Sequence, residues 1–513
     1  MKPCKWLLTF FLVAFSIGES VIAAPIVQLH SGRVEGRSVN GVDAFLGIPY
    51  AKPPVGKLRW QRPLSATSWQ GIKKTTAFGP SCLQTPMKGS STPLPDHYSE
   101  NCLTLNVWRP SRGNGRLPVM VWIYGGGFVN GGSASPVYSG KAFAKSGVIF
   151  VSFNYRLGRL GFFAHPALSG NLFRGNYGLM DQIKALRWVQ DNIISFGGDP
   201  NNVTVVGESA GGYSIHALLT SHYSRNLFNK AIIESGGGRY QINGQYPWKK
   251  AQQTGVRFAK QLGIESSGQQ ALAKLRSLPG KTIAGDLNMW NMEAQRQTYS
   301  GPMMDGHVIS ENPEKAYRAG DFAHVPLLVG ANDDDLGFVR QHYQNRAQVL
   351  AMFGQHQSQA AKAYRDIQGT KALSELIARQ KMMIEPARFV AQEFAGQNVP
   401  VWEYRFGYVA NAREGQWQGA KHASEIAYVF KTLAATYGPN VTARDQKMAD
   451  LIHQYWVNFA KTGNPNGASL PHWPAYSSKT DQLMWFSPKG ATQSHALRDP
   501  QQAQLNMVET LAK

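Results

Sequence analysis

A serine with a glycine two residues away on either side is the first group that could do chemistry. Gly207-Glu208-Ser209-Ala210-Gly211 lies between a β-branched run at 203–206 and a helical stretch at 212–220. A sharp strand-to-helix turn strains the serine backbone and exposes its hydroxyl, while the glycines let strand and helix pack closely. The GxSxG pattern also occurs by chance, and a structural serine is the alternative. In this context the pattern predicts that Ser209 attacks a carbonyl carbon.

Consecutive glycines upstream indicate where the negative charge created by such an attack would be stabilised. Gly125-Gly126-Gly127-Phe128 follows a predicted strand at 119–124. No side chains obstruct the backbone N–H groups of these glycines, and each preorganised donor to an oxyanion is worth about 3 kcal/mol in the transition state. We predict an oxyanion hole made by the amides of Gly126, Gly127 and Ala210. An ordinary glycine turn is the alternative.

The elements that must position these groups alternate between strand and helix, as a mostly parallel α/β sheet requires. Apolar residues recur at helical spacing over 179–193, closing at Gly197, and over 448–459, ending at Gly463. Both stripes are interpreted as core. Strands are predicted at 119–124, 148–154, 203–206, 325–329 and 401–408.

Composition and the N-terminus set the domain organisation. The 513 residues are 43% hydrophobic, and no repeat, linker or charge block divides them. Residues 24–513 are therefore predicted to form a single domain with excursions from a central sheet. Residues 1–23 are typical of a signal peptide: Lys2 and Lys5 precede an apolar run at 6–17, and Ala23 and Ala24 follow. We expect cleavage after Ala23 and a secreted or periplasmic protein.

The sequence also predicts whether the chain spans a membrane and whether its cysteines pair. The apolar run at 6–17 is shorter than the ~20 residues that a membrane span requires, so no integral membrane association is predicted. Cys82 and Cys102 remain after removal of the signal peptide and are expected to form a disulfide, with two buried free thiols as the alternative. Such a bridge would be worth about 3 kcal/mol in the chain-entropy model. Neither cysteine has metal-ligand or redox-motif spacing, and no metal site is predicted.

The chain is strongly basic, with a formal net charge of +21. Residues 1–23 contribute two lysines and one glutamate, so the chain without them keeps a charge of +20. A basic exterior attracts anionic ligands, and association with anionic envelope components is one expectation. The basic residues are scattered along the chain, which favours a generally basic surface without a dedicated partner. No nucleic-acid partner is predicted.

Three longer motifs occur in the chain: SENCLTLNVW at 99–108, the stretch from FGGDP through the glycine-flanked serine at 196–211, and GNPNG at 463–467 with Trp473-Pro474. With these motifs the chain resembles the type-B carboxylesterase and cholinesterase family over essentially its whole length after residue 23. The resemblance implies an α/β-hydrolase fold with a mostly parallel central sheet, flanking helices and large insertions that form a gorge. It also implies no cofactor and a small-molecule ester or thioester substrate.

The resemblance also assigns a base and an acid. The family places its base in a segment like KHASEI at 421–426, which makes His422 the candidate. GANDDD at 330–335 aligns with a family segment that usually ends in glutamate, so the register makes Asp335 the acid and leaves Asp334 as its rival. The chain order of serine, acid and histidine agrees with this fold.

Two further residues match positions that support the gorge and the histidine–acid pair in the family, namely Glu208 and Ser235. The chain also departs from the cholinesterases, which place a tryptophan in the loop closed by the first disulfide to bind a quaternary ammonium group. No tryptophan lies between Cys82 and Cys102. This absence and the positive charge argue against choline esters and favour a general carboxylesterase that resembles the bacterial para-nitrobenzyl esterases.

The sequence therefore predicts a serine carboxylic-ester hydrolase that works through Ser209, His422 and Asp335 and an acyl-enzyme. One alternative is an amide- or lactone-cleaving hydrolase of the same fold, which the motifs do not separate. The other is a non-catalytic adhesion or binding protein, which the presence of all three groups disfavours. The segment 286–293 is predicted either to line the substrate pocket or to pack in the core. Arg239 is predicted to lie either at the pocket or at the surface.

Overall fold

The computed structural model describes residues 24–87, 89–113, 115–170, 174–239, 246–339 and 341–512. The predicted signal peptide lies outside the described residues. The division into residues 1–23 and a single following domain stays a prediction.

Strands in the described part of the chain form one large sheet and four small ones. In chain order they are β1 (Ile26–Leu29), β2 (Gly32–Glu35), β3 (Arg37–Val39), β4 (Val42–Pro49), β5 (Ile72–Lys74), β6 (Ser81–Cys82), β7 (Tyr98–Ser99), β8 (Thr104–Pro110), β9 (Leu117–Ile123), β10 (Ile149–Phe153), β11 (Phe162–Phe163), β12 (Gly175–Asn176), β13 (Gly198–Glu208), β14 (Lys230–Glu234), β15 (Tyr246–Pro247), β16 (Met303–Met304), β17 (Leu327–Asn332), β18 (Val401–Phe406), β19 (Gln482–Phe486) and β20 (His495–Arg498).

The large sheet has the strand order β3-β4-β8-β10-β9-β13-β14-β17-β18-β19-β20. Neighbouring strands from β10 to β19 pair in parallel, whereas β3, β4 and β8 at one edge and β20 at the other pair antiparallel. Every residue of β10, β14, β17 and β18 is buried. Parallel strands of this kind require helices on both faces. The prediction of a mostly parallel α/β-hydrolase sheet is confirmed.

Helices flank the large sheet and form the excursions from it. Those in the described ranges are α1 (Lys141–Lys145), α2 (Gly158–Gly161), α3 (Tyr177–Asn192), α4 (Ala210–Thr220), α5 (Trp248–Gln261), α6 (Gln269–Ser277), α7 (Gly280–Ala284), α8 (Pro313–Arg318), α9 (Arg346–Leu350), α10 (Gln357–Ala363), α11 (Thr370–Arg379), α12 (Glu385–Gly396), α13 (Ile426–Val429), α14 (Leu433–Tyr437), α15 (Ala443–Thr462) and α16 (Gln502–Thr510).

The elements predicted from periodicity occur with small changes at their ends. The five predicted strands correspond to β9, β10, β13, β17 and β18. β13 is longer than predicted, because Gly198 already pairs with Leu117 before an irregularity that ends at Val203. α3 continues as a short 3-10 turn that is capped by Gly197, and α15 is capped by Gly463; both glycines adopt left-handed φ angles, 83° and 77°.

A disulfide joins Cys82 at the end of β6 to Cys102, with a Cα–Cα distance of 4.9 Å. The predicted bridge is confirmed. It closes the loop that carries β7 and that packs beside the turn following β9. In the described residues, no helix combines the length and the apolar character that crossing a membrane would require.

Candidate active site

Ser209 occupies a strained turn between β13 and α4. β13 ends at Glu208 and α4 begins at Ala210, and Ser209 between them has φ 54° and ψ −121°. A residue with a Cβ seldom adopts a positive φ, so this conformation has to be held by its surroundings. The Ser209 N–H donates to the carbonyl oxygen of Glu234 at 3.0 Å, which ties the turn to β14.

The glycines on either side of Ser209 are required by close backbone packing. A Cβ at Gly207 would lie 2.5 Å from the carbonyl carbon of Gly211. A Cβ at Gly211 would lie 1.9 Å from the carbonyl oxygen of Ile123 at the end of β9. The start of α4 is therefore wedged against β9, and this packing fixes the direction in which Ser209 leaves the sheet.

The glycine turn after β9 passes directly beside Ser209. A Cβ at Gly125 would lie 2.9 Å from the Cβ of Ser209. Gly126 and Gly127 have φ angles of 107° and 63°. Within the described ranges the N–H groups of these two glycines donate to no protein acceptor. Ala210 is the first residue of α4, whose N–H has no partner in its own helix. The structure thus brings the three predicted oxyanion donors to the nucleophile turn.

His422 contacts Asp335. The distance from Nδ1 of His422 to Oδ1 of Asp335 is 2.6 Å, and the Asp335 side chain is fully buried. The Asp335 carboxylate also accepts hydrogen bonds from the Ser235 hydroxyl at 2.7 Å, the Leu336 N–H at 2.7 Å and the Asn332 N–H at 2.9 Å. Four donors therefore fix its orientation. Ser235 lies next to the pair, as the resemblance implied.

Asp334 points elsewhere. Its Oδ1 forms an ion pair with Arg379 at 2.9 Å, and its Oδ2 contacts Lys421. Of the two rival acids, Asp335 is thus the one that reaches His422. Because a carboxylate accepts from Nδ1, a neutral imidazole in this position carries its proton there and leaves Nε2 able to accept another.

Nε2 of His422 faces Glu208 rather than Ser209 in this structure. Its distance to Oε1 of Glu208 is 3.2 Å. Among the described residues no hydrogen bond joins the Ser209 hydroxyl to His422. Catalytic hydrogen bonds often tighten only when substrate binds.

The buried acidic groups around His422 differ in the direction in which their pKa values are shifted. Burial is the largest cause that raises the pKa of Glu208, Glu234 and Glu425, and with the effects of their neighbours included the pKa of each is about 8. Burial alone would also raise the pKa of Asp335, but His422 and the hydrogen bonds to the carboxylate outweigh it and hold this pKa below its ordinary value. Asp335 is thus held in its charged form.

The same carboxyl groups act on His422. Burial lowers the pKa of the imidazole, but Glu208 and Asp335 outweigh burial and raise this pKa above its ordinary value. His422 accordingly keeps a second proton to higher pH than an exposed histidine does.

The candidate pocket segment covers the glycine turn. A Cβ at Gly127 would lie 3.2 Å from Cγ of Met289 and 3.3 Å from Sδ of Met292. Trp290 between them is 74% exposed. The two methionines therefore lie against the oxyanion glycine while the tryptophan faces solvent. A small cleft opens beside them and is lined by Gly127, Met292, Glu293, Arg296, Tyr299, Ser300, Gly301 and Pro302.

Arg239 is buried, so the surface placement considered for it from the sequence is wrong. Its guanidinium forms ion pairs with Glu385 and with Glu314, at 2.5 and 2.7 Å, and lies 3.8 Å over the ring centre of Phe389. Its charge is neutralised inside the fold.

Two of the buried glutamates were not assigned any role from the sequence. Glu234 accepts from the Trp456 indole N–H at 2.7 Å, and Glu425 accepts from the Asn332 amide. Both lie within short segments that matched the family, beside Ser235 and three residues after His422. That proximity in sequence was the available signal, whereas their burial depends on distant elements.

Comparisons with known proteins agree with this geometry. The model of the carboxylesterase family matches residues 23–505. The chain is 36% identical over 484 residues to "Fumonisin B1 esterase" of Sphingopyxis macrogoltabida, covering 90% of this chain and 86% of that protein. It is 36% identical over 473 residues to "Para-nitrobenzyl esterase" of Bacillus subtilis (strain 168), covering 90% and 94%. A solved para-nitrobenzyl esterase structure superposes with a TM-score of 0.81 at 32% identity, covering 94% of this chain and 99% of that one. The chain belongs to the carboxylesterase family, and it is a serine ester hydrolase with the α/β-hydrolase fold.

Proposed function

We propose that the enzyme hydrolyses carboxylic esters with Ser209 as nucleophile, His422 as base and Asp335 as the acid that orients the base. The observation that carries this proposal is the 2.6 Å contact between His422 and the fully buried, charged Asp335. It fixes the imidazole so that only Nε2 is left to accept a proton, at the end of the sheet where Ser209 leaves β13.

The first half of the reaction forms the acyl-enzyme. The Ser209 hydroxyl oxygen attacks the ester carbonyl carbon while Nε2 of His422 takes its proton. The carbonyl oxygen becomes an oxyanion and accepts hydrogen bonds from the N–H groups of Gly126, Gly127 and Ala210. The tetrahedral intermediate then collapses, the bond to the alcohol oxygen breaks, and His422 returns the proton to the departing alcohol.

The second half repeats these steps with water. His422 removes a proton from a water molecule that attacks the acyl carbon, the same amides hold the second oxyanion, and the carboxylic acid leaves Ser209 with its proton restored. Asp335 remains ionised throughout and stabilises the imidazolium that forms in both halves.

We propose esters rather than amides or lactones as the substrate class because both named bacterial relatives are esterases. This choice rests on the names of the two relatives, because the same three groups and the same oxyanion donors would serve acyl transfer from an amide or a lactone.

We also propose that the enzyme works outside the cytoplasm, secreted or periplasmic. A signal-like segment at 1–23 and a disulfide between Cys82 and Cys102 both support this location. The net charge of the chain supports a weak association with anionic envelope components. Fractionation of producing cells, with hydrolysis of a chromogenic ester measured in each fraction, tests the location.

Replacing Ser209 by alanine tests the mechanism. We expect Ser209→Ala to lower kcat for a p-nitrophenyl ester by about 10⁴-fold or more, because no nucleophile remains, and to leave Tm nearly unchanged. Ser224→Ala is the matched control, since Ser224 is buried and donates to a backbone carbonyl in a turn outside the site. Retained turnover in purified Ser209→Ala protein would refute the assignment.

A further inference from the structure

The side chain of Gln84 is buried beside the turn that carries the oxyanion glycines. It lies two residues after Cys82, inside the loop closed by the disulfide, and is 9% exposed. Its Nε2 donates to the carbonyl oxygens of Cys82 at 2.9 Å and Gly131 at 2.7 Å. Its Oε1 accepts from the Gly131 N–H at 2.9 Å and from Nδ2 of Asn130 at 3.3 Å. One amide group thus binds both backbone polar groups of Gly131.

Gly131 and the oxyanion glycines belong to one compact turn. The carbonyl oxygen of Gly126 accepts from the N–H groups of Val129 at 3.1 Å and Asn130 at 2.9 Å. A Cβ at Gly131 would lie 2.6 Å from the carbonyl oxygen of Gly125. A shift of Gly131 would therefore be passed directly to the peptide groups at the start of the turn.

Asn130 adds a second attachment to the same turn. Its Nδ2 donates to the carbonyl oxygen of Thr85 at 2.8 Å, and its Oδ1 accepts from the Met289 N–H at 2.9 Å. Asn130 is 5% exposed. The turn is thus held between the disulfide loop on one side and the segment that covers Gly127 on the other.

Attachment to neighbouring segments matters here because three successive residues of the turn are glycines. Gly125, Gly126 and Gly127 have no side chains, and glycine has the widest choice of backbone conformations. Oxyanion donors act only when they are aimed at the oxyanion, and a misplacement of about 1 Å can cost about 100-fold in rate. The groups that hold the turn are therefore candidates for control of the reaction rate.

We infer that Gln84 is a positioning residue for ester hydrolysis, which aims the Gly126 and Gly127 amides at the oxyanion by holding Gly131 and Asn130. The inference rests on the proposed function, because the oxyanion hole is part of that mechanism. Gln84 touches neither substrate nor the reacting atoms; it acts through the backbone of the turn.

Gln84→Met is the test, because methionine has a similar size and no amide. The expected result is a fall in kcat of about 10- to 100-fold with KM within about twofold. The Ki for a trifluoromethyl ketone should rise by a similar factor, since its adduct with Ser209 is an oxyanion held by the same amides. Titration with a phosphonate that reacts with Ser209 gives the concentration of competent active sites, so that kcat is calculated per folded enzyme molecule.

Gln380→Met is the matched control. Gln380 is fully buried, and its amide bonds with Tyr364 at 2.7 Å, Gln501 at 3.0 Å and Gln504 at 2.7 Å, none of them in the glycine turn. Its replacement should lower Tm and leave kcat and the trifluoromethyl ketone Ki unchanged. If Gln84→Met behaves in the same way, Gln84 is only structural and the inference is wrong.

Two further results complete the test. If Gln84→Met does not fold, Gln84→Glu is the second variant, because it keeps the size and both accepting contacts but loses both donating ones. The same parallel change in kcat and Ki is expected from it, and unchanged values would overturn the inference.

Ser209→Ala separates the two proposals. An inactive Ser209→Ala protein with an unaffected Gln84→Met protein rejects only the role of Gln84, whereas an active Ser209→Ala protein rejects the mechanism itself.

Discussion

Asp335 reaches His422 although an aspartate is one methylene shorter than the glutamate usual at this position in the family. The backbone compensates for the missing length. The N–H groups of Asn332 and Leu336 both donate to the Asp335 carboxylate, so the chain folds closely around it. The adjacent Asp334 is turned away by Arg379 and Lys421. The geometry favours the register derived from the sequence.

Asparagine at each of the two positions should separate their roles. Asp335→Asn is expected to lower kcat by about 10⁴-fold, because the imidazole loses the carboxylate that sets its tautomer. Asp334→Asn should leave kcat within about tenfold and lower Tm instead, because it loses ion pairs with Arg379 and Lys421. Steady-state kinetics and thermal melts of both proteins provide the measurement. The opposite pattern would place the acid at 334.

Glu208 should set the pH dependence of the reaction. His422 acts as a base only when neutral, so kcat/KM rises with pH as the imidazole loses its proton. Glu208 raises the pKa of His422, and Glu208→Gln removes that cause. The midpoint of the acidic limb should therefore move to lower pH, by roughly one pH unit. Glu403→Gln is the control, since Glu403 is also buried with a raised pKa and His422 is not among the groups acting on it. A profile that stays in place or moves upward would contradict this account.

The sequence was sufficient to identify the candidate catalytic residues, but not the pKa values of the buried acids around them. Ser209 was found from its spacing, and His422 and Asp335 from a resemblance. The raised pKa values of Glu234 and Glu425 arise from burial by elements far apart in the chain, which no local pattern encodes.

Two neighbouring strands bring the nucleophile and the glycine turn together. β9 and β13 pair in parallel with Ile123 opposite Gly207. Parallel strands end at the same edge of the sheet, so the chain that follows β9 and the chain that follows β13 meet there. The existence of both strands could be read from the sequence. Their adjacency could not, because the order of strands in a sheet depends on packing rather than on the periodicity of either strand.

The start of α4 should tolerate no side chain at its second residue. Gly211→Ala would place a Cβ 1.9 Å from the Ile123 carbonyl oxygen, a backbone atom that cannot move alone. We expect a loss of about 3 kcal/mol in the free energy of unfolding and reduced kcat. Gly396→Ala at the end of α12 is the control, since a Cβ there meets nothing within 4 Å. Denaturant unfolding of both proteins measures the difference, and equal stability would show that α4 is not wedged against β9.

Element ends were the least predictable feature. β13 extends back to Gly198 because a partner strand is available there. The edge strand β20 has no fully buried residue, so it lacks the apolar alternation that marks a strand in sequence. Of the four parallel strands that are buried throughout, β10, β17 and β18 were predicted from the sequence and β14 was not.

The charge of the whole molecule should influence which esters arrive at the site. A net charge of about +20 without residues 1–23 concentrates anionic ligands and repels cationic ones. Arg239 does not add to this field locally, because Glu385 and Glu314 neutralise it. Any steering must come from the surface.

Three esters with one acyl group and an anionic, a neutral or a cationic alcohol test for steering. As salt rises, kcat/KM for the anionic ester should fall relative to the neutral one, and that for the cationic ester should gain, because the field is screened beyond about 10 Å at 0.1 M. Rates that depend on neither charge nor salt would show that the basic surface plays no part in substrate capture.

The buried glutamates also tie the folding equilibrium to the proton concentration. Glu208, Glu234 and Glu425 titrate near pH 8 in the folded chain, against an ordinary value of 4.5. Between those values the folded chain holds protons that the unfolded chain has released, so the contribution of these groups to stability is complete below pH 4.5 and is lost as pH rises toward 8. His422 becomes a base only at higher pH, since Glu208 and Asp335 raise its pKa to about 10. The stabilisation that these glutamates contribute is consequently lost before His422 can accept a proton.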